Sequence, residues 1–386
     1  MLDPISLLLA IFVTHIASAI VLSGAWFSLK GESALANWAL SRVFSSAAIL
    51  CLLLREVINP AISILLGNSL FFVSFYLILK GFRRFAGLSD WPLSYVLGVY
   101  VFYAVCIAYA ALPQPQHDLL VVISSALFVL FYAVLVYMLW PRNRGYESLI
   151  ANLLVVVFAV NVGAFAYRLA LGLQGQAGTA LLDSSSQDTV VYLVTIATAL
   201  MVTMGFLAMV AERINERLLY RADHDHLTGL YNRVRLDSEM EKRLQGRLEG
   251  APAFGVIIGD LDFFKSVNDT LGHQAGDKVL MTAAGALRKA CAPEDSVGRL
   301  GGEEFLIIAE CETVDALTSL AESLRQAIEQ CEIRVTGQQL TASFGVAAHE
   351  PGESLKSLLS RADKALYQAK EMGRNRVCAS PWPGIA

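Results

Sequence analysis

The sequence predicts a multi-domain protein: an N-terminal all-α polytopic membrane bundle, then a C-terminal α/β domain with helices flanking a mixed sheet. Three observations predict it. The 386 residues are 55% hydrophobic and 17% charged, with a mean hydropathy of +0.52, too apolar for an average soluble protein. Charge is unevenly divided: residues 1–210 hold 9 Lys/Arg and 8 Asp/Glu, the remainder 21 and 26. Beyond residue 252 short apolar runs alternate with helical periodicity, the pattern of an α/β layer.

Seven apolar stretches, near 5–27, 36–58, 61–79, 92–112, 119–140, 148–171 and 189–211, reach the roughly 20 residues that cross a bilayer. Lys80, Arg83 and Arg84 follow the third, Arg142 and Arg144 the fifth, Arg213 and Arg217 the seventh. The loops around Pro113-Gln114-Pro115 and from Gly172 to Asp188 carry no Lys or Arg. Basic loops stay cytoplasmic, so the N-terminus is expected outside and the C-terminal part inside. Met1-Leu2-Asp3-Pro4 has no basic n-region, and no cleaved signal peptide is expected. His15, Arg42, Asn68 and Asn161 are polar positions within or near the spans, where a ligand or sensory role competes with structural ones. Arg42 and Arg168 also have a bland reading, snorkelling to the interface. Tyr95, Tyr100, Phe102, Tyr103 and Tyr109 either line a ligand cavity or face lipid.

A transmembrane sensor domain is thus expected over 1–211 and a connector helix over 212–224. Residues 207–221 contain no Gly or Pro, so the last span should continue as a helix. Leu207, Ala211, Ile214 and Leu218 recur at steps of four, three and four, the spacing of a coiled-coil seam. A monomeric amphipathic helix has the same pattern. The net charge of −4 argues against a nucleic-acid surface. The six cysteines have no metal-ligand spacing, which fits reduced thiols.

In the C-terminal part, 253–259 reads as a buried strand ending at Asp260-Leu261-Asp262. A helix is expected over 274–291, a hairpin around Gly301-Gly302-Glu303-Glu304, and a helix over 314–331. Strands near 332–336 and 340–347 and a helix over 354–372 follow. The sheet can bring Asp260, the Leu261 carbonyl, Glu303 and Glu304 together. Such acids repel unless a hard cation joins them, and Mg²⁺ prefers oxygen ligands alongside substrate phosphates. Lys265 can neutralise phosphate charge, and Asn268 and Asp277 can hydrogen-bond a base, an acid there favouring guanine. Lys370 and Arg374, one turn apart on one helix face, would clamp terminal phosphates.

Asp225-His226-Leu227-Thr228-Gly229-Leu230-Tyr231-Asn232-Arg233 resembles the DxLTGLxNR motif of diguanylate cyclase (GGDEF) domains. Asp260 to Asp269 resembles that family's DxDxFKxxND, Gly272 to Asp277 its GHxxGD, and Arg299 to Phe305 its RxGGEEF. Ser343-Phe344-Gly345-Val346, Ala365 to Lys370 and Gly373-Arg374-Asn375 fit its closing elements. The resemblance covers about residues 222–378, and the domain is expected over 225–380. It implies a polymerase-palm-like fold and condensation of two GTP into cyclic di-GMP and two pyrophosphates.

By the same resemblance, Asp260, the Leu261 carbonyl and Glu303 hold Mg²⁺, with Mn²⁺ as an alternative, and Glu304 adds to the metal site. Glu303 helps deprotonate the 3′-hydroxyl, and Lys265 stabilises the transition state. Asn268 and Asp277 read guanine; His273 either assists or simply starts a helix. One GTP per domain implies a homodimer. The expected setting is a bacterial inner membrane, with lipid bilayer around the spans and an unidentified ligand or partner for the sensor. The family's product-binding RxxD is Ala292-Pro293-Glu294-Asp295 here, which predicts weak product feedback unless Arg288 substitutes. A non-catalytic receptor of GTP or cyclic di-GMP is the competing class. No EAL-type phosphodiesterase half is expected after Ala386.

Overall fold

The computed structural model describes residues 3–29, 32–55, 57–112, 116–140, 148–176, 186–248, 252–311, 313–331, 334–335 and 338–381. Two compact units divide the chain, Met1–Arg213 and Ile214–Ala386.

Among the described residues of the first unit lie α1 (Pro4–Ser28), α2 (Ser33–Leu53), α3 (Pro60–Phe85), α4 (Leu93–Ala111), α5 (His117–Leu139) and α6 (Leu149–Leu173). The seventh helix, α7 (Ser186–Asp223), begins in this unit and runs beyond its boundary. All seven are long and apolar enough to cross a membrane. Several starts are fixed by local chemistry. Asp3 accepts from the Ser6 N–H at 3.1 Å and Asn59 from Ala61 at 2.9 Å, each followed by a proline whose missing N–H costs nothing there. Side chains such as Ile20, Phe27, Phe102 and Tyr109 cover the outside, while small hydroxyls fill helix contacts inside. Ser45 bonds Ser74 at 2.7 Å, and Thr203 donates to Ser18 at 2.9 Å, as in helix packing without water. Trp38 is fully buried, stacks on Phe206 at 4.3 Å and donates to the Ile78 carbonyl.

Several sequence expectations change. The second span ends at Leu53 rather than 58, because a turn precedes the Asn59 cap. The third runs on to Phe85, so Lys80, Arg83 and Arg84 sit on its last turns rather than in a loop; Lys80 and Arg84 ion-pair with Asp90 at 3.2 and 3.0 Å. Neither Arg42 nor Arg168 snorkels. Arg42 is 5% exposed, with Nη1 3.4 Å from His15 Nδ1. Arg168 donates to the Ser124 and Ser125 hydroxyls at 3.4 and 3.3 Å. Tyr95, Phe102 and Tyr109 are on the exposed face, and Tyr103 is buried against Asn68. Asn161 is spent on its own helix and Thr198. Arg142, Arg144, Pro113-Gln114-Pro115 and residues 177–185 lie outside the described residues.

The connector does continue the last span: α7 is unbroken to Asp223. In the second unit it is followed by α8 (Arg233–Leu248), β1 (Phe254–Leu261), α9 (Phe264–Leu271), α10 (His273–Ala290), β2 (Ser296–Gly301) and β3 (Glu304–Glu310). Then come α11 (Val314–Glu329), β4 (Arg334–Val335), β5 (Gln338–Gln339), β6 (Ala342–Ala348), α12 (Leu355–Glu371) and β7 (Val377–Ala379). Five strands form one sheet in the order β2-β3-β1-β6-β7, antiparallel except for the β6–β7 pair. The strand expected over 332–336 is reduced to the two-residue β4, paired with β5 in a separate ribbon; residues 332–333 and 336–337 lie outside the described set.

Strand alternation sorts the sheet's side chains between two cores. Ile257, Leu261, Phe305, Ile307 and Phe344 pack with Leu280 and Leu287 of α10 and Leu317 and Leu324 of α11. Phe254, Val256, Ile258, Leu306 and Ile308 pack with Leu236 and Met240 of α8 and Leu358 and Leu366 of α12. Every residue of the central strand β1 is buried, as expected of a strand covered on both faces. Its parity decides where the next acid points.

Candidate active site

Asp260 continues the even-numbered series of β1, so its carboxylate emerges on the face covered by α12. Glu304 is its register partner on β3. The two carboxylates are thus cross-strand neighbours, a placement that repels unless a cation intervenes. From α12, Lys370 Nζ reaches Asp260 Oδ2 at 2.8 Å. Burial nevertheless pushes the Asp260 carboxyl above its ordinary range, against the pull of Lys370. Burial also raises Glu304, and the charges of Asp260 and of Asp363 on α12 add to the rise.

Between β2 and β3 the chain turns through Gly301 and Gly302. Gly302 has φ +53°, the left-handed region that favours glycine. A side chain begun at either glycine would meet nothing within 4 Å, so the turn faces open space. Arg299 sets its shape. Its Nε and Nη2 donate to the Gly302 carbonyl at 2.9 and 2.7 Å, and its Nη1 reaches Asp225 at 3.2 Å. Asp225 also accepts from the N–H and hydroxyl of Thr228 at 2.9 and 2.7 Å. Burial alone would raise the Asp225 carboxyl; the Thr228 bonds and Arg299 together hold it below the usual range. The opening motif is therefore a brace behind the glycine turn.

Asp262, two residues beyond Asp260, has no room for substrate. It is 3% exposed and accepts from Thr341 Oγ1 at 2.7 Å, Ser343 Oγ at 2.8 Å and the Asn375 N–H at 3.0 Å. It ties the end of β1 to β6 and to the segment after α12.

Lys265 is exposed on the first turn of α9, and Asn268 is half-buried on the same helix. The Asn268 carboxamide occupies the space a Cβ at Gly276 would need; glycine at 276 thus brings Asn268 beside Asp277. His273 and Asp277 are both exposed on the first turns of α10. Leu261 is buried, and its N–H points to the Glu303 carbonyl at 3.4 Å. Glu303 itself is half-exposed in the turn.

The expectation that Lys370 and Arg374 share a helix face is corrected. Helix α12 stops at Glu371, and the Arg374 N–H closes back on the Ala369 carbonyl at 3.1 Å. Gly373 at φ +114° and Arg374 at φ +60° turn the chain away. The Arg374 guanidinium lies 4.7 Å from the ring centroid of Phe263, itself at φ +58° and exposed.

Among the described residues no three His, Cys, Asp or Glu side chains form a metal-holding group. A complete protein cage is therefore not what the acids build. Two cross-strand carboxylates with raised proton affinity, one more acid in the adjoining turn and open space before them suit a different donor set. Mg²⁺ characteristically takes one or two carboxylates and completes its shell with water and substrate phosphate. The residues fit a divalent cation that arrives with a nucleotide.

A family profile described as "Diguanylate cyclase, GGDEF domain" matches residues 222–376. The C-terminal part of the chain belongs to the GGDEF domain family. Diguanylate cyclase DgcP of Pseudomonas aeruginosa is 41% identical over 155 residues, covering 40% of this chain and 23% of that protein. Diguanylate cyclase DgcM of Escherichia coli is 39% identical over 170 residues, covering 44% and 41%. The chain thus spans less than half the length of these curated relatives. Among solved structures, the GGDEF domain of DgcB from Caulobacter crescentus, in complex with c-di-GMP, is 36% identical. That match covers 41% of this chain and 96% of the other, with a TM-score of 0.40.

Three residues of this GGDEF domain had no role assigned from sequence: Asp225, Arg299 and Asp262. Each stands inside a motif string, which was the available signal; what each holds appears only in the hydrogen bonds. Upstream of the turn, Arg288, Ala292 and Asp295 line one groove of about 340 Å³. Arg288 there donates to the Gly229 carbonyl at 3.1 Å, and Asp295 accepts from the Ala292 N–H at 2.9 Å.

Proposed function

We propose that the protein is a homodimeric diguanylate cyclase of the bacterial inner membrane, condensing two GTP into cyclic di-GMP and two pyrophosphates. The observation that carries this reading is the register pair Asp260–Glu304 beside the open Gly301–Gly302 turn, with Lys370 facing it, in a GGDEF domain.

In each of two steps a 3′-oxygen bonds to the α-phosphorus of the other nucleotide and the bond from that phosphorus to the β-phosphate bridge breaks. Pyrophosphate leaves with the electron pair, and Glu303 takes the hydroxyl proton. Catalysis of this kind is mainly positioning and charge neutralisation. Asp260, the Leu261 carbonyl, Glu303 and Glu304 would hold Mg²⁺ or Mn²⁺, which when bound neutralises phosphate charge. Lys265 stabilises charge developing in the transition state. Lys370 and Arg374 attract the terminal phosphates from separate backbone elements. Asp277 accepts from the ring N–H and exocyclic amine of guanine, and Asn268 hydrogen-bonds the same base, with His273 beside them.

One domain supplies one nucleotide, so the bond forms only when two copies face each other. Exposed Leu218 near the end of α7, the last position of the four-three-four seam, supports a helical dimer contact. The seven apolar helices support anchoring in a lipid bilayer, with the N-terminus outside and the GGDEF domain in the cytoplasm. Signals reach the domain through rearrangement of paired α7 helices.

Incubating purified full-length protein with Mg²⁺ and GTP should give cyclic di-GMP and pyrophosphate in a 1:2 ratio by mass spectrometry. The Glu303→Ala/Glu304→Ala protein should insert normally and make at least about a thousandfold less. Bound but unreacted GTP in the wild-type protein would favour the receptor reading instead.

A further inference from the structure

Inside the seven-helix unit lies a cavity of about 160 Å³. Phenylalanines stack along part of its wall, Phe75 on Phe131 at 4.1 Å and Phe128 on Phe165 at 4.3 Å. Arg42 also lines it, together with His15, Asn68 and Arg168. Among the described residues, no Asp or Glu lines it.

Arg42 is the anomaly. Guanidinium stays protonated in proteins, and buried charges are ordinarily paired. Arg42 is 5% exposed, yet among the described residues its partners are a neutral-capable ring nitrogen, His15 Nδ1 at 3.4 Å, and the face of Phe206 at 5.8 Å. Among the described residues its Nε has no hydrogen-bond partner. A buried cation with an unused donor, at the wall of an apolar cavity that no described acid lines, is a site for an anion.

The volume limits the size of that anion. A dry cavity of about 150 Å³ accommodates benzene. A haem or a long acyl chain exceeds this space, whereas a ring or short chain bearing one carboxylate does not. The stacked phenylalanines suit the apolar body, and the Arg42 fork suits the carboxylate. We infer that the seven-helix unit is a receptor for a small apolar monocarboxylate, about the size of benzoate, bound through Arg42.

The wall also includes Tyr192, Thr195, Thr198, Ala199 and Val202 of α7, the helix that continues to Asp223. Occupancy therefore bears on that helix directly. This last link rests on the cyclase reading; ligand binding itself does not.

The test uses purified full-length protein in detergent, with benzoate, hexanoate and the neutral isostere benzamide titrated at neutral pH. Binding is read by calorimetry, independently of nucleotide turnover. Saturable binding of benzoate or hexanoate is expected, with benzamide at least about tenfold weaker. Arg42→Gln should weaken carboxylate binding by at least about tenfold, and Arg42→Lys by less. Ala199→Phe, which fills the cavity and keeps the charge, should abolish it. Absence of binding by both carboxylates, equal binding of benzamide, or unchanged binding in Ala199→Phe overturns the inference. Should Arg42→Gln not fold, the carboxylate-to-amide ratio and Ala199→Phe still decide it. A change in cyclic di-GMP synthesis on adding benzoate would support the link through α7; ligand binding without such a change would confine the inference to binding.

Discussion

The interiors of the two units treat charge in opposite ways. In the GGDEF domain, buried or half-buried cations meet carboxylates: Arg299 meets Asp225, Lys370 meets Asp260, and Arg361 meets both Glu350 and Glu353. In the seven-helix unit, Arg42 meets an imidazole and an aromatic face. Water can reach the edge of a soluble sheet and screen any residual imbalance there. An apolar bundle offers no such solvent, so an uncompensated cation persists there only with a structural or ligand-binding reason. Charge in the first setting shapes the site, and in the second it asks for an occupant.

The contrast can be broken at its strongest point by Asp262→Ala. Three donors, two of them from β6 and its approach and one from Asn375, would lose a buried acceptor. A loss of about 3 kcal/mol in unfolding free energy is expected, read from denaturant melts. A loss below about 1 kcal/mol would mean that the knot is not structural.

Arg299 comes next. Arg299→Gln should lower cyclic di-GMP synthesis about ten- to a hundredfold, because the Gly302 carbonyl loses two donors and Asp225 its cation. Arg299→Lys should recover only part, since one ammonium cannot hold both ends of the brace. Equal rates for lysine and arginine would reduce Arg299 to a simple charge.

The raised carboxyls give a smaller effect with a definite sign. Asp260 and Glu304 bind protons more tightly in the folded than in the unfolded state, so stability falls as pH rises through that interval. At pH 7.5 without divalent cation, Glu304→Gln should raise the melting temperature by about 2 °C. The difference should vanish below about pH 4, where the wild-type carboxyl is protonated in both states. A lower melting temperature at pH 7.5 would contradict the repulsion argued here.

Smallest is Ser45→Ala in the helical unit, which removes the Ser45–Ser74 bond. A cost of about 0.6 kcal/mol is expected, typical of a hydrogen bond between membrane helices. A cost approaching that of Asp262→Ala would erase the difference between the two units.

Much of this was legible from residue pattern. Length and apolarity alone marked the seven helices, since a bilayer imposes both. The buried strand before Asp260 and the glycine turn were visible because alternation and Gly-Gly are local signals. What stayed hidden depended on non-local pairing. The register that sets Glu304, rather than Glu303, opposite Asp260 follows from how the hairpin docks on β1. The end of α12 before Arg374 follows from the backbone at Gly373, a signal present in the sequence but outweighed by the i, i+4 spacing. For Arg42 the sequence leaves a ligand or sensory role and snorkelling both open, because depth along one helix is all it shows. Its partners, His15 and Phe206, belong to two others.

The open turn at Gly301 and Gly302 has a further consequence. A side chain begun at either glycine would meet nothing within 4 Å, so a phosphate bound at the turn of a lone domain would touch bulk solvent, where the dielectric is high and each charge is weak. In the proposed dimer the missing wall is the second nucleotide-loaded domain. Its arrival expels water and strengthens every charge already in place. In that proposed dimer its departure would precede release of the cyclic product, so turnover could be no faster than the facing pair comes apart.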